Sequence, residues 1–281
     1  MSNVKIFTDS TSDLTPEIIE NNDISIVPLY VNFNETSYID GVTITTPELY
    51  KKIEKLGMLP KTAANSPANF YKAFKPYIDD GQDIVFIGLS SELSSHLQNA
   101  KLAASEFPEG RIHIVDSLNL STGIGLLVMK AVDFKNQGLD AAEIAEKVKE
   151  LVPKVKTAFV IDTLDYLYKG GRCSALANFV GGVLKIRPVV KVVDGKMILA
   201  QKLMGKREKS LNTMLNNVIK EKDRIDTERI MVTHSISNDA EYLIEELSKN
   251  IEAKDIIETQ AGCVISSHCG PNTIGILYIE K

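Results

Sequence analysis

The chain has 281 residues, 44% hydrophobic and 25% charged, with a formal net charge of -5 at pH 7. That length predicts two domains, and the acidic balance excludes nucleic acid or an anionic membrane as the main partner. No apolar run reaches the ~18–20 residues of a transmembrane segment, the N-terminus lacks signal-peptide form, and Cys173, Cys263 and Cys269 lack metal-ligand spacing, so a reducing cytoplasm is the expected compartment.

In chain order, Val4 to Phe7 reads as a short buried strand that ends in the polar cluster Thr8-Asp9-Ser10-Thr11-Ser12-Asp13. Leu14-Thr15-Pro16 opens a helix with proline at an early position. Ile24 to Phe33 reads as a second extended segment and Tyr38-Ile39-Asp40-Gly41 as a turn. Thr46-Pro47 starts a helix to about Leu56, Lys61 to Ser66 is extended, and Ser66-Pro67 starts a helix to about Tyr77. Asp83 to Leu89 is the clearest buried parallel strand, followed by Ser90 to His96 and a helix over Leu97 to Glu106. Arg111 to Val115 is a strand, and Ser121 to Asn136 and Ala141 to Leu151 are helices. This alternation predicts a parallel sheet with helices on both faces.

A strand, Thr157 to Ile161, turns through Asp162 to Tyr168 into Lys169-Gly170-Gly171-Arg172, and Ser174 caps an expected helix from Ala175 to Leu184. Four cations gather there, Lys169, Arg172, Lys185 and Arg187; the double glycines suit either a close approach of backbone or an ordinary capped connection. The β-branched run Val189 to Val193 follows, and beyond Val190 the pattern changes: Lys191 to Leu199 reads as a hairpin around Asp194-Gly195. A helix over Arg207 to Glu221, a strand over Arg229 to Thr233 and a helix over Asp239 to Asn250 follow, then extended segments Asp255 to Gln260 and Thr273 to Ile279. Hairpins mixed with helices predict a two-layer domain with a mixed sheet.

The polar turns limit the chemistry. A phosphotransfer aspartate would want two carboxylates one residue apart, and Asp9 and Asp13 are four apart, so capping with some site lining is the better reading there. Serines closing a strand and opening a helix, as at Ser90, Ser91, Ser94 and Ser95, make an anion site of hydroxyls and backbone amides. A hydrolase would place Gly-x-Ser-x-Gly on that turn, but Glu92 stands where the second glycine belongs, and His96 is too near in sequence for a triad. Ser266 to Asn272 reads as a tight glycine-proline turn holding His268, which its hydroxyl neighbours raise above His113 and His234 as a candidate ligand. No metal cluster, Walker loop or dinucleotide fingerprint is present. Neutral donors at Thr62, Ser90, Ser91, Ser94 and His268 suit a carboxylate. The residues alone thus reach a two-domain α/β protein with an anion site.

An ordered series of motifs carries a resemblance beyond this. Phe7-Thr8-Asp9-Ser10-Thr11-Ser12-Asp13-Leu14, Lys61-Thr62 with Ser66-Pro67, and Gly88-Leu89-Ser90-Ser91-Glu92-Leu93-Ser94 come first. Asp116-Ser117 with Ser121, Asp162-Thr163-Leu164 through Gly170-Gly171-Arg172, and His268-Cys269-Gly270-Pro271 complete it. Across essentially its whole length the chain resembles the DegV family of bacterial fatty-acid-binding proteins, which includes the binding subunit of fatty acid kinase. The resemblance implies an N-terminal three-layer α/β/α domain with a parallel sheet, placed at residues 1–156, and a C-terminal two-layer α/β domain with a mixed sheet, at 157–281. It implies a long-chain fatty acid in an interdomain tunnel, its carboxylate bound by Thr62, Ser94 and His268, with Ser90, Ser91, Ser95, Asp9 and Ser10 supporting the pocket. It implies no cofactor and no catalysis by the chain itself. A separate, dihydroxyacetone-kinase-like subunit would phosphorylate the carboxylate with ATP, Arg172 and Arg207 would serve its docking or the exit of the head group, and an acyltransferase would use the acyl-phosphate for phospholipid synthesis. The alternative is a stand-alone hydrolase using Ser90 or Ser94, or a phosphotransferase using Asp9. Two departures stand out: Ser95-His96 replaces the usual Gly-Thr and is expected to reshape the pocket mouth, and Asn272 replaces a glycine that asparagine can mimic.

Overall fold

A computed structural model describes residues 3–172 and 187–281. The expected helix Ala175 to Leu184, its cap Ser174 and the cation Lys185 lie outside the described residues.

The first strand, β1 (Val4–Asp9), is buried at every position, as a central parallel strand covered on both faces requires. Asp9 ends it by accepting the N–H of Thr11, and Thr15 caps α1 (Pro16–Asn21), with proline at its start. The extended stretch from Ile24 to Phe33 proves to be two strands in two sheets. β2 (Ser25–Val27) pairs in parallel with β1; beyond Pro28, which has no N–H to give a ladder, β3 (Tyr30–Phe33) joins another sheet. There it pairs antiparallel with β4 (Thr36–Ile39), so the turn expected at Tyr38 comes slightly later, where Val42 and Thr43 donate back to the Ile39 carbonyl.

Thr45 and Glu48 form a reciprocal capping box on α2 (Thr46–Leu56). β5 (Lys61–Ala63) completes the small sheet, in the order β4-β3-β5. Ser66 then caps α3 (Pro67–Asp79) by accepting the Asn69 N–H at 3.2 Å. β6 (Asp83–Gly88), α4 (His96–Ala104) and β7 (Ile112–Asp116) follow, giving an all-parallel sheet in the order β2-β1-β6-β7. Successive residues of β6 serve opposite layers: Ile84 and Phe86 pack with Phe70 and Phe74 of α3 and Leu97 of α4, while Val85 and Ile87 pack towards α5 (Thr122–Asn136) and α6 (Ala141–Leu151).

The second domain is a mixed sheet. Its members are β8 (Val155–Val160), β9 (Val189–Val193), β10 (Lys196–Gln201), β11 (Ile225–Ser235), β12 (Asp255–Gln260) and β13 (Thr273–Glu280), in the order β10-β9-β8-β13-β11-β12. Only β11 and β12 run parallel. Asp194 and Gly195 form the β9–β10 turn with φ of 48° and 79°, the left-handed pair that a two-residue hairpin turn demands. The stretch Asp162 to Tyr168, expected as a turn, winds into α7 (Asp165–Gly170). α8 (Arg207–Lys220) and α9 (Ala240–Asn250) cover one face of this sheet.

The other face packs on α5, so this helix is shared between the two sheets. It touches β1 and β6 on one side and β8, β11 and β13 on the other, and it is buried along most of its length. A helix with apolar residues towards both neighbouring sheets is a core element, and Arg229 of β11 ties it to the mixed sheet through both oxygens of Asp133, at 2.6 and 2.9 Å. The last surprise is α10 (Cys263–Cys269) between β12 and β13: the expected tight turn around His268 is the final turn of a helix.

Candidate functional site

Between the parallel sheet's carboxyl end, the small sheet and the mixed sheet lies a cavity of about 330 Å³, in the size range of small-molecule sites. Each sheet gives it apolar wall: Leu89 follows β6, Leu29 precedes β3, and Phe159, Met197 and Leu277 come from β8, β10 and β13. Ala63 and Ala64 leave space beside Thr62.

Three predicted residues meet at this cavity. Thr62 of β5 and His268 of α10, 206 residues apart in sequence, are joined Oγ1 to Nε2 at 2.8 Å, and Ser94 lines the same cavity. The Ser94 hydroxyl also accepts the backbone N–H of His96 at 3.2 Å. Ser95 lines the exposed edge, and Arg172 stands there too, its guanidinium donating to the Gly170 carbonyl at 2.7 Å. Burial, and then the Arg172 cation, push the His268 imidazole down to about pKa 4, so at neutral pH it is an uncharged hydrogen-bonding ring. Its Nδ1 is buried without a partner.

The other predicted residues stand outside the cavity wall. Ser90 is fully buried and donates to the Gly195 carbonyl at 2.9 Å, fastening the β9–β10 hairpin to the turn after β6. Ser91 is exposed, its N–H given to Asp116. Asp9 accepts from Thr11 and from the Leu89 N–H at 2.8 Å, and Ser10 bridges the Asp40 carboxylate and the Leu29 N–H. These bonds shape the turn that carries Leu89 and Leu29 into the cavity. The expected intrusion of Ser95-His96 at the mouth is corrected for His96: its ring is fully buried against Phe70 and Phe86 and accepts the Asn65 N–H at 3.1 Å, on the far side of the parallel sheet. Desolvation lowers its pKa as well. Arg207 is committed internally, to Asp162 at 2.8 Å, Asp239 at 2.6 Å, the Ser237 hydroxyl and the Asn272 carbonyl. Among the described residues no group of His, Cys, Asp and Glu could hold a metal ion.

The structure also adds groups that sequence reasoning missed. Five hydroxyl residues line the cavity deeper in: Ser121, Thr157, Thr233, Ser235 and Thr273. Each is already bonded within the protein, to Asp13, Asn119, Thr122 and Thr259, Ser266 and Tyr50, and the Cys269 carbonyl respectively. These hydroxyls are bonded without a ligand, so the wall here carries no buried polar side chain in need of one. Ser121 holds φ 53° and ψ -147°, a conformation costly for any residue but glycine, which the Asp13 bond helps to retain.

Helix α10 is held in place from the first domain. Asp13 accepts the Gly262 N–H at 2.8 Å and Asp40 accepts the Cys263 N–H at 2.7 Å, so two buried carboxylates occupy the helix's N-terminus while His268 sits at its other end. Burial raises the pKa of both carboxyls and pushes the Cys263 and Cys269 thiols up to about 12, which makes both unreactive. Glycine at 262 and at 270, bracketing seven residues, was the available sequence sign of this helix.

No described helix is long and apolar enough to cross a membrane. Among solved structures, a DegV family protein from Thermus thermophilus, described as fatty acid binding, is similar with a TM-score of 0.92 and 28% identity over 99% of each chain. A stearic acid-binding protein from Eubacterium ventriosum is similar with a TM-score of 0.87 and 28% identity, covering 100% of this chain and 99% of that one. A DegV domain-containing protein from Clostridium acetobutylicum is 34% identical over 100% of both chains. The profile described as "Uncharacterised protein, DegV family" matches residues 3–281. The chain therefore belongs to the DegV family.

Proposed function

We propose that this chain is a fatty acid carrier: the cavity takes a long acyl chain, and Thr62, Ser94 and His268 hold its carboxylate. The observation that carries this reading is the Thr62–His268 pair, two neutral polar groups on a mostly apolar cavity whose deeper hydroxyls are bonded within the protein, with one cation, Arg172, beside them. With the imidazole proton on Nε2, the ring donates to Thr62 Oγ1 and leaves the Thr62 hydroxyl proton to spare for a ligand oxygen. Each buried methylene contributes about 0.8 kcal/mol, so the tail supplies affinity and the hydroxyls fix the head. Fatty acid binding described for DegV family proteins supports the same ligand class.

In the fuller reading, the chain works in the cytoplasm as the binding subunit of a kinase system rather than as a catalyst. It presents the carboxylate to a separate fatty acid kinase subunit, which phosphorylates it with ATP, and then delivers the acyl-phosphate to an acyltransferase of phospholipid synthesis. Arg172, exposed at the cavity edge, suits docking or exit of the head group; Arg207 would reach a partner only by giving up its internal bonds. The test is fatty acid retention by Ser94→Ala, His268→Ala and Arg172→Ala. The first two are expected to lose bound fatty acid about tenfold more readily, as loss of one hydrogen bond to a charged head implies. Arg172→Ala is expected to retain it and to weaken coupling to the kinase. Wild-type retention by Ser94→Ala and His268→Ala would sink the head-group assignment.

A further inference from the structure

Gly170 and Gly171 are adjacent, yet only the second is explained by its backbone. Gly171 follows α7 at φ 67°, the left-handed residue that ends a helix. Gly170 is the last helical residue and has no such φ; alanine would suit its backbone better. What a side chain there would meet is His268: a Cβ would lie 2.3 Å from Nδ1, 3.2 Å from Cε1 and 3.3 Å from Cγ. The bare Gly170 backbone is therefore one wall of the imidazole's seat. Thr62 is the opposite wall, at 2.8 Å from Nε2.

We infer that Gly170 is a positioning residue for the carboxylate site: its missing side chain lets the His268 ring lie with Nδ1 against α7 and Nε2 on Thr62. This orientation also sets the direction of the hydrogen bonds. Nδ1 is buried on the α7 side, has no partner, and is closed to a ligand by the Gly170 backbone. A proton there would be wasted, so the ring carries it on Nε2 and donates to Thr62 Oγ1. Thr62 then turns its own hydroxyl proton outward, and Thr62 rather than the imidazole is the donor that meets the ligand oxygen. The imidazole acts through it. This inference rests on the carrier reading for the identity of the ligand, while the placement of the ring does not.

The experiment is a double-mutant cycle of Gly170→Ala and His268→Ala, read by displacement of a fluorescent fatty acid, by nitrogen-15 NMR of the His268 ring and by thermal melting. In the wild type the ring is expected as the Nε2–H tautomer. Gly170→Ala is expected to bind fatty acid about tenfold more weakly, the loss of one hydrogen bond, with shifted His268 ring signals and a lowered melting temperature, as overpacking a closed seat requires. In the His268→Ala background the same alanine should cost no further affinity. Unshifted ring signals in Gly170→Ala, an Nδ1–H tautomer in the wild type, or an equal affinity loss with the ring already removed would each overturn the inference. Should Gly170→Ala alone not fold, the double variant decides: restored folding supports the steric seat, and continued failure to fold refutes it. If no form binds fatty acid, the carrier reading fails, and the ring signals still decide the role of Gly170.

Discussion

Replacing His268 with glutamine keeps an amide able to reach Thr62 but removes the titration, and the structure fixes the consequence in sign and size. Burial and the Arg172 cation hold the folded imidazole at about pKa 4, against 6.5 for the ordinary group. Between those values the unfolded chain takes up a proton that the folded chain refuses. The stability this group contributes is thus full above pH 6.5 and is lost as the pH falls towards 4. From pH 7.5 to 4.5 the loss is about 2.5 kcal/mol, at about 1.36 kcal/mol per pH unit. Asp13 and Asp40 titrate with the opposite sign, since their folded pKa values are raised, but they do so in both proteins. The difference between wild type and His268→Gln therefore isolates the imidazole. Urea denaturation at half-unit steps of pH should show the wild type losing about 2.5 kcal/mol more than the variant. Saturating fatty acid should shrink that gap, because a carboxylate beside the ring favours its protonated form. Parallel stability curves for the two proteins would refute the reasoning.

Two further substitutions test what holds the site. Asp13→Ala leaves the part-buried Gly262 N–H and the buried Ser121 hydroxyl without their acceptor; it should cost about 2–6 kcal/mol in urea denaturation, at about 1–3 kcal/mol per unmade bond. Arg229→Ala breaks the paired contact between α5 and the mixed sheet; a loss of about 2–3 kcal/mol is expected, and a melting temperature unchanged within error would show that the contact does not fasten the two layers.

Much of the scaffold was legible because it obeys local rules. Ile84 to Gly88 is apolar and buried on both faces, Ser66-Pro67 and Thr46-Pro47 mark their own helix starts, and Asp194-Gly195 writes its own turn. The errors lie where tertiary structure decides. Ile24 to Phe33 has one continuous extended pattern, and only the second sheet shows why the chain must change direction at Pro28. Helix α10 spans Cys263–Cys269, too short to display a period, and its N-terminus is satisfied by Asp13 and Asp40, more than 200 positions away. For the same reason Ser121, Thr233 and Ser235 could not be seen as cavity wall: nothing local brings β11 and the start of α5 to one surface. His96, beside four serines in sequence, went the other way, because its place at the start of α4 aims it at the Phe70 and Phe86 layer.

Native mass spectrometry of the purified chain, followed by solvent extraction, tests the central claim most directly. The account predicts one fatty acid per chain, released on extraction and regained on adding free fatty acid. A chain that is empty as purified and takes up no added fatty acid would contradict it.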